Sequence, residues 1–188
     1  MKRAFLAGLL GATLYTQLIA SQSRNVGDLL EEALAATNQI QYVDYQAQAM
    51  ASLGVNLVRS GQEDQGRSIF KQALERAVQS TILPWGQVKS GVIFKIAEAG
   101  LFDLAQSAAL SMPPSRFRDS SLAETAIRLA EKGQVGKAKL VVAKIESPRF
   151  RAFALNGIAG ILLHGQTLQS EKRISAYMDL YKIPTDGK

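Results

Sequence analysis

Four glycines punctuate the chain. Gly61, Gly100, Gly133 and Gly165 lie 39, 33 and 32 residues apart, and each closes a run with apolar residues at helical spacing. Five residues after each stands a small residue: Gly66, Ala105, Ala138 and Ser170. Four residues before each stands an aliphatic one: Leu57, Ile96, Leu129 and Ile161. Glycine ends a helix cheaply because it enters the left-handed region without a Cβ clash. A helix that starts directly after such a glycine folds back on its predecessor, and where the two cross closely only a small side chain fits. A period near 33 residues therefore predicts stacked antiparallel hairpins, each covering the apolar face of the last. The fold class expected is all-α, an α-solenoid of about four repeats.

Composition agrees. Hydrophobic residues make up 47% and charged residues 20% of 188, and only 5 prolines interrupt the chain. Periodicity and breakers place helices at about 27–38, 42–59, 62–80, 85–99, 101–111, 116–131, 134–146, 149–163 and 166–181. No low-complexity linker divides residues 24–183, which read as one domain followed by a free tail at 184–188.

The stretch from Gln46 to Ser80, QAQAMASLGVNLVRSGQEDQGRSIFKQALERAVQS, resembles a tetratricopeptide repeat. The family pattern W-x2-L-G-x2-Y…A-x3-F falls on Met50, Leu53, Gly54, Leu57, Gly66 and Phe70. Leu53, Gly54 and Phe70 match by identity. Met50 and Leu57 replace aromatics, Gly66 replaces alanine, and Val78 stands where the family places a late proline. Later repeats are looser, with Ile93 and Ala126 in the place of Gly54, and the likeness extends over about residues 42–181. The resemblance implies a groove lined by first helices and a role in protein binding. The family's carboxylate clamp is not carried over, because the equivalent positions hold Ala51, Val55, Ser90, Phe94, Ala123 and Ile127.

Residues 1–23 have a different character. Lys2 and Arg3 precede an apolar run from Ala4 to Ala20, and Ser21 and Ser23 are small residues before Arg24. This is the layout of a secretory signal peptide or an N-terminal membrane anchor. The competing reading is a buried first helix of the domain. Export to the periplasm or cell envelope is the expectation.

The formal charge is +6, and it is uneven. Residues 24–111 hold 7 basic and 9 acidic side chains, whereas residues 112–188 hold 13 and 7. The basic half suits an acidic protein segment or an anionic membrane surface.

Reactive chemistry is sparse. The chain has no cysteine and one histidine, His164, which precedes a helix-ending glycine where it can interact with terminal carbonyls. Disulfides and thiolate metal sites are excluded, and one histidine cannot by itself supply a nucleophile–base set. Glu31–Glu32 and Glu63–Asp64 are adjacent pairs, pointing about 100° apart on a helix. No catalytic residue, metal site or cofactor is expected.

The recurring polar signal is arginine. Arg116 and Arg118 flank Phe117, and 33 residues later Arg149 and Arg151 flank Phe150. One reading is structural: proline opens the helix, phenylalanine packs in the seam, and the arginines are solvated or pair with Glu124, Glu146 or Asp119. The other is a ladder of guanidinium forks that binds carboxylates or phosphates. Trp85, in the insertion STILPWG, is either an exposed binding anchor or a cap on the core. The function expected is a non-enzymatic exported scaffold for protein–protein interaction, and the alternative is a cytoplasmic nucleic-acid or anion binder.

Overall fold

The computed structural model describes residues 26–164. Every regular element among them is a helix: α1 (26–38), α2 (Val43–Arg59), α3 (Glu63–Val78), α4 (Trp85–Glu98), α5 (Phe102–Leu110), α6 (Arg116–Glu131), α7 (Val135–Val142) and α8 (Pro148–His164). The all-α expectation holds for these residues. The expected helix at 166–181, Gly165, Ser170, the tail and the segment 1–23 lie outside them. Among the described residues no helix is long and apolar enough to cross a membrane. The chain divides into two compact units, residues 1–88 and 89–188, and the division falls inside α4.

The glycine turns are one structure made three times. Gly61, Gly100 and Gly133 have φ of 85°, 85° and 74°. At each, the glycine N–H donates to the carbonyl three residues back: Val58 at 3.1 Å, Ala97 at 3.0 Å and Ala130 at 2.9 Å. The next residue donates five back, to Leu57 at 2.8 Å, Ile96 at 3.1 Å and Leu129 at 2.9 Å. This paired pattern is the Schellman motif, which satisfies carbonyls that a helix end leaves open. The aliphatic residue four before each glycine is thus the carbonyl acceptor of the turn. The small residue five after each glycine opens the next helix, with Gly66, Ala105 and Ala138 donating to Gln62, Leu101 and Gln134 at 2.9, 3.0 and 3.0 Å.

In the first unit α2 and α3 pack as an antiparallel hairpin. Phe70 is fully buried, and its ring lies 2.9 Å from where a Cβ on Gly54 would stand. A Cβ on Gly66 would meet Val58 Cγ2 at 2.6 Å and the Gly54 carbonyl oxygen at 3.0 Å. Glycine at both positions therefore sets how closely the helices approach. Met50, Leu53, Leu57, Ile69 and Ala73 complete this core.

In the second unit α6 is the central element, contacting α5, α7 and α8. Its residues Arg118–Ile127 are all buried. A Cβ on Gly157 of α8 would stand 2.9 Å from Ile127 Cδ1, so glycine again permits the approach. The helix expected over 134–146 ends at Val142, because the following residues are drawn into a loop fixed by α6.

Replacing Gly66 with Ala is expected to lower stability by about 1–3 kcal/mol through overpacking. Gly133→Ala is expected to cost about 1–2 kcal/mol, the penalty for a Cβ in the left-handed region. Gly136→Ala, in α7 with nothing within 4 Å of the new methyl, should instead stabilise by about 0.5–1 kcal/mol. Urea denaturation of the three variants checks both sign and order.

Candidate functional site

The densest polar arrangement among the described residues lies where α6 begins and α8 approaches it. Ser115 caps α6, its Oγ accepting the Arg118 N–H at 3.2 Å. Capping fixes the first turn, and that turn aims Asp119 at the loop entering α8. Asp119 Oδ2 accepts the Ser147 N–H at 2.7 Å, and Oδ1 accepts the Glu146 N–H at 3.4 Å. Arg118 Nη2 lies 2.7 Å from Glu146 Oε1 and 3.5 Å from Asp119 Oδ1. Hydrogen bonding to Glu146 holds the Arg118 pKa above its ordinary value, so the side chain stays cationic. Arg151 closes the loop from the other side, Nε and Nη2 donating to the Ile145 carbonyl at 3.2 and 2.6 Å.

Two of the four arginines singled out by sequence therefore direct their donors into the fold. Arg118 has a buried side chain, and its Nε has no partner among the described residues. Arg151 is exposed but bound to a backbone carbonyl. Arg116 is exposed, with its guanidinium 4.9 Å from the centre of the Phe117 ring, a cation–π distance. Arg149 is half-buried. Of the acidic partners expected, Glu146 and Asp119 are used, whereas Glu124 joins Arg128 at 2.7 Å. Arg128 also reaches Glu131 at 3.1 Å. Burial opposes the Arg128 charge, but the two carboxylates outweigh it and the net pKa shift is upward. Phe150 is buried and Phe117 half-buried. Trp85 is 39% exposed at the first position of α4, retaining both an accessible face and a packed one.

A related clip exists in the first unit. Asp44 of α2 is buried, and its Oδ2 accepts the Ile82 N–H at 3.3 Å, while Oδ1 has no partner among the described residues. Both clips tie a first-turn carboxylate to the loop that leads towards a later helix. From sequence Asp119 is read as a possible partner of the arginines and Asp44 carries no signal; the loops that they hold lie 27 to 38 residues away.

Ser90, Ser120, Ser121 and Thr125 are buried and act as packing elements. Ser121 Oγ lies 2.8 Å from the Phe117 carbonyl and 3.0 Å from Ser90 Oγ, and Ser120 Oγ is 3.0 Å from the same carbonyl. Thr125 Oγ1 donates to the Ser121 carbonyl at 2.8 Å. Ser90, at a groove position that the tetratricopeptide likeness implies, is buried, as are Ala51, Val55, Ala123 and Ile127, and so is Ser120. Gln48, Arg59 and Gln87 are exposed.

Lys89 Nζ lies 3.0 Å from Ser111 Oγ, and burial lowers the lysine pKa. Ser111 caps α5 and donates to the Ala108 carbonyl at 2.7 Å, which commits its proton to the helix end. His164 is the last described residue, at the end of α8. Among the described residues no group of three or more His, Cys, Asp or Glu side chains is gathered to hold a metal ion.

Asp119→Ala leaves the Ser147 N–H unsatisfied and removes a carboxylate from beside Arg118. We expect it to lower unfolding free energy by about 2–4 kcal/mol. Arg116→Gln, on an exposed side chain, should stay within about 0.5 kcal/mol of the parent. Equal losses in the two variants, measured by chemical denaturation, would remove the distinction drawn between them.

Comparison of the chain with protein-family models, with curated proteins and with solved structures yields no match.

Proposed function

We propose that this chain is an exported, non-enzymatic scaffold whose tetratricopeptide-like hairpins stack as an α-solenoid and bind a protein partner. The observation that carries the proposal is the turn made three times with positive φ and the same pattern of backbone hydrogen bonds, at Gly61, Gly100 and Gly133. A backbone unit repeated in this way is the building block of helical-repeat proteins, whose stacked hairpins present extended binding surfaces. The packing of Phe70 against Gly54, and of Gly66 against Val58, occurs at positions that carry the tetratricopeptide likeness. The sequence supports the non-enzymatic part, since one histidine and no cysteine leave few groups for nucleophilic or general-base chemistry.

Residues 1–23 serve in this proposal as a signal peptide or membrane anchor. The basic half, residues 112–188, faces an acidic or anionic partner through Arg116 and Arg149, and Trp85, in the first unit, is a separate contact residue. Arg118 and Arg151 act one step back, holding the loop between α7 and α8 that carries Arg149 at its end.

The same excess of basic residues supports a second reading, a cytoplasmic binder of nucleic acid. Fractionation of cells expressing the intact chain, with the mass of the recovered species, separates the two. A species in the envelope fraction, either starting near Arg24 or full-length and membrane-bound, is the outcome expected. A full-length cytoplasmic species whose binding to duplex nucleic acid weakens steeply with salt would replace the first reading by the second.

A further inference from the structure

α7 presents a face that the fold itself does not use. Ala138, Val141, Val142 and Ile145 point inward and are buried. Gly136, Lys137, Lys139, Leu140, Ala143 and Lys144 are all exposed. The helical path continues past Val142, with Ala143 donating to the Lys139 carbonyl at 3.1 Å and Lys144 to the Val141 carbonyl at 3.0 Å. At about 100° per residue, the order around this face is Lys139, Ala143, Gly136, Leu140, Lys144, Lys137. An apolar strip of two small residues and one leucine is thus edged by lysine on both sides. Leu140 is 68% exposed, an unusual position for the largest apolar side chain of a short helix.

The charges on this face have no counter-charge among the described residues. No ion pair or side-chain hydrogen bond engages Lys132, Lys137, Lys139 or Lys144 among the described residues. No acidic residue lies between Glu131 and Glu146. Glu131 is taken by Arg128 and Glu146 by Arg118. Pairing of Glu131 and Glu146 with arginines therefore leaves these lysines without a carboxylate partner among the described residues.

We propose that the exposed face of α7 docks on an anionic lipid surface, with Leu140 entering the headgroup boundary and Lys137, Lys139 and Lys144 reaching phosphates on either side. Three features favour this occupant. Lysine stems lie along an apolar surface while their ammonium groups reach outward to the polar layer. Ammonium groups act as point charges suited to a diffuse anionic layer, whereas recognition of single phosphates or carboxylates favours arginine forks. The face carries no arginine, aromatic, asparagine or glutamine, the side chains that read nucleic acid. The contact rests on the anionic-partner reading given above and names the partner as lipid.

The absence of native cysteine permits a local probe. An environment-sensitive fluorophore on the thiol introduced by Leu140→Cys, in the otherwise intact chain, is titrated with phosphatidylglycerol-containing and with phosphatidylcholine vesicles. A blue shift and gain in emission on the anionic vesicles alone is expected. Adding Lys137→Gln, Lys139→Gln and Lys144→Gln should weaken the response about a hundredfold, at roughly fivefold per lysine. Replacing three cations of α3, Arg67, Lys71 and Arg76, by Gln should leave it nearly unchanged. Melting followed by circular dichroism establishes that both triple variants fold. No shift on anionic vesicles, an equal shift on phosphatidylcholine, or equal losses in the two triple variants would overturn the proposal. A shift with polyglutamate or duplex DNA but not with vesicles would also overturn it, while leaving the broader anionic-partner reading in place.

Discussion

Turning a helix back on itself within two residues requires one residue with positive φ and a way to satisfy the carbonyls at the helix end. This chain meets both requirements in the same way at Gly61, Gly100 and Gly133. Each turn sets the direction of the next helix before any side chain packs. The small residue that follows then fixes how closely the helices approach, most tightly at Gly66, where a single methyl would collide with Val58 and the Gly54 carbonyl. The cores of the two units are built on this backbone arrangement.

The second constraint acts at the loops leading from one hairpin towards the next. These loops end at Pro84 and before Pro148, the first residue of α8, and lack a glycine turn, so their conformation depends on side chains from elsewhere. Asp44 and Asp119 provide them by accepting loop N–H groups from the first turns of α2 and α6. In the second unit the fixation is strongest. Asp119 takes the loop N–H groups, Arg118 takes the Glu146 side chain, and Arg151 takes the Ile145 carbonyl. The arginines at the helix starts thus divide into two classes. Arg118 and Arg151 bind the protein's own loop, and Arg116 and Arg149 stand at the neighbouring positions.

The pairing of acidic groups shapes the surface as well. Glu124, Glu131, Asp119 and Glu146 are all engaged by arginines or backbone amides. Lysines have fewer such partners, because a flexible ammonium gains less from a fixed carboxylate than a planar guanidinium does. In the second unit Arg118, Arg128 and Arg151 are directed to partners within the fold, whereas the lysines of α7 are exposed.

The sequence by itself determined where the helices run and where they reverse. Both depend on local physics: apolar spacing, and the low cost of positive φ at glycine. It also placed the small residues at the crossings, since the period of the repeat exposes them. Tertiary structure decided what Arg151 and Asp44 do, and which of two readings Arg118 and Asp119 follow, because their partners lie in loops whose course no local pattern encodes. It also decided that Ser90 is buried instead of lining a groove. A serine at a helix position reads as polar in sequence, yet a hydroxyl can bond to its own helix's carbonyls and pack as a small core residue. α7 is shorter than its apolar spacing suggests: the regular helix ends at Val142, Ala143 and Lys144 complete a last turn, and Asp119 holds Glu146 and Ser147 in the loop beyond.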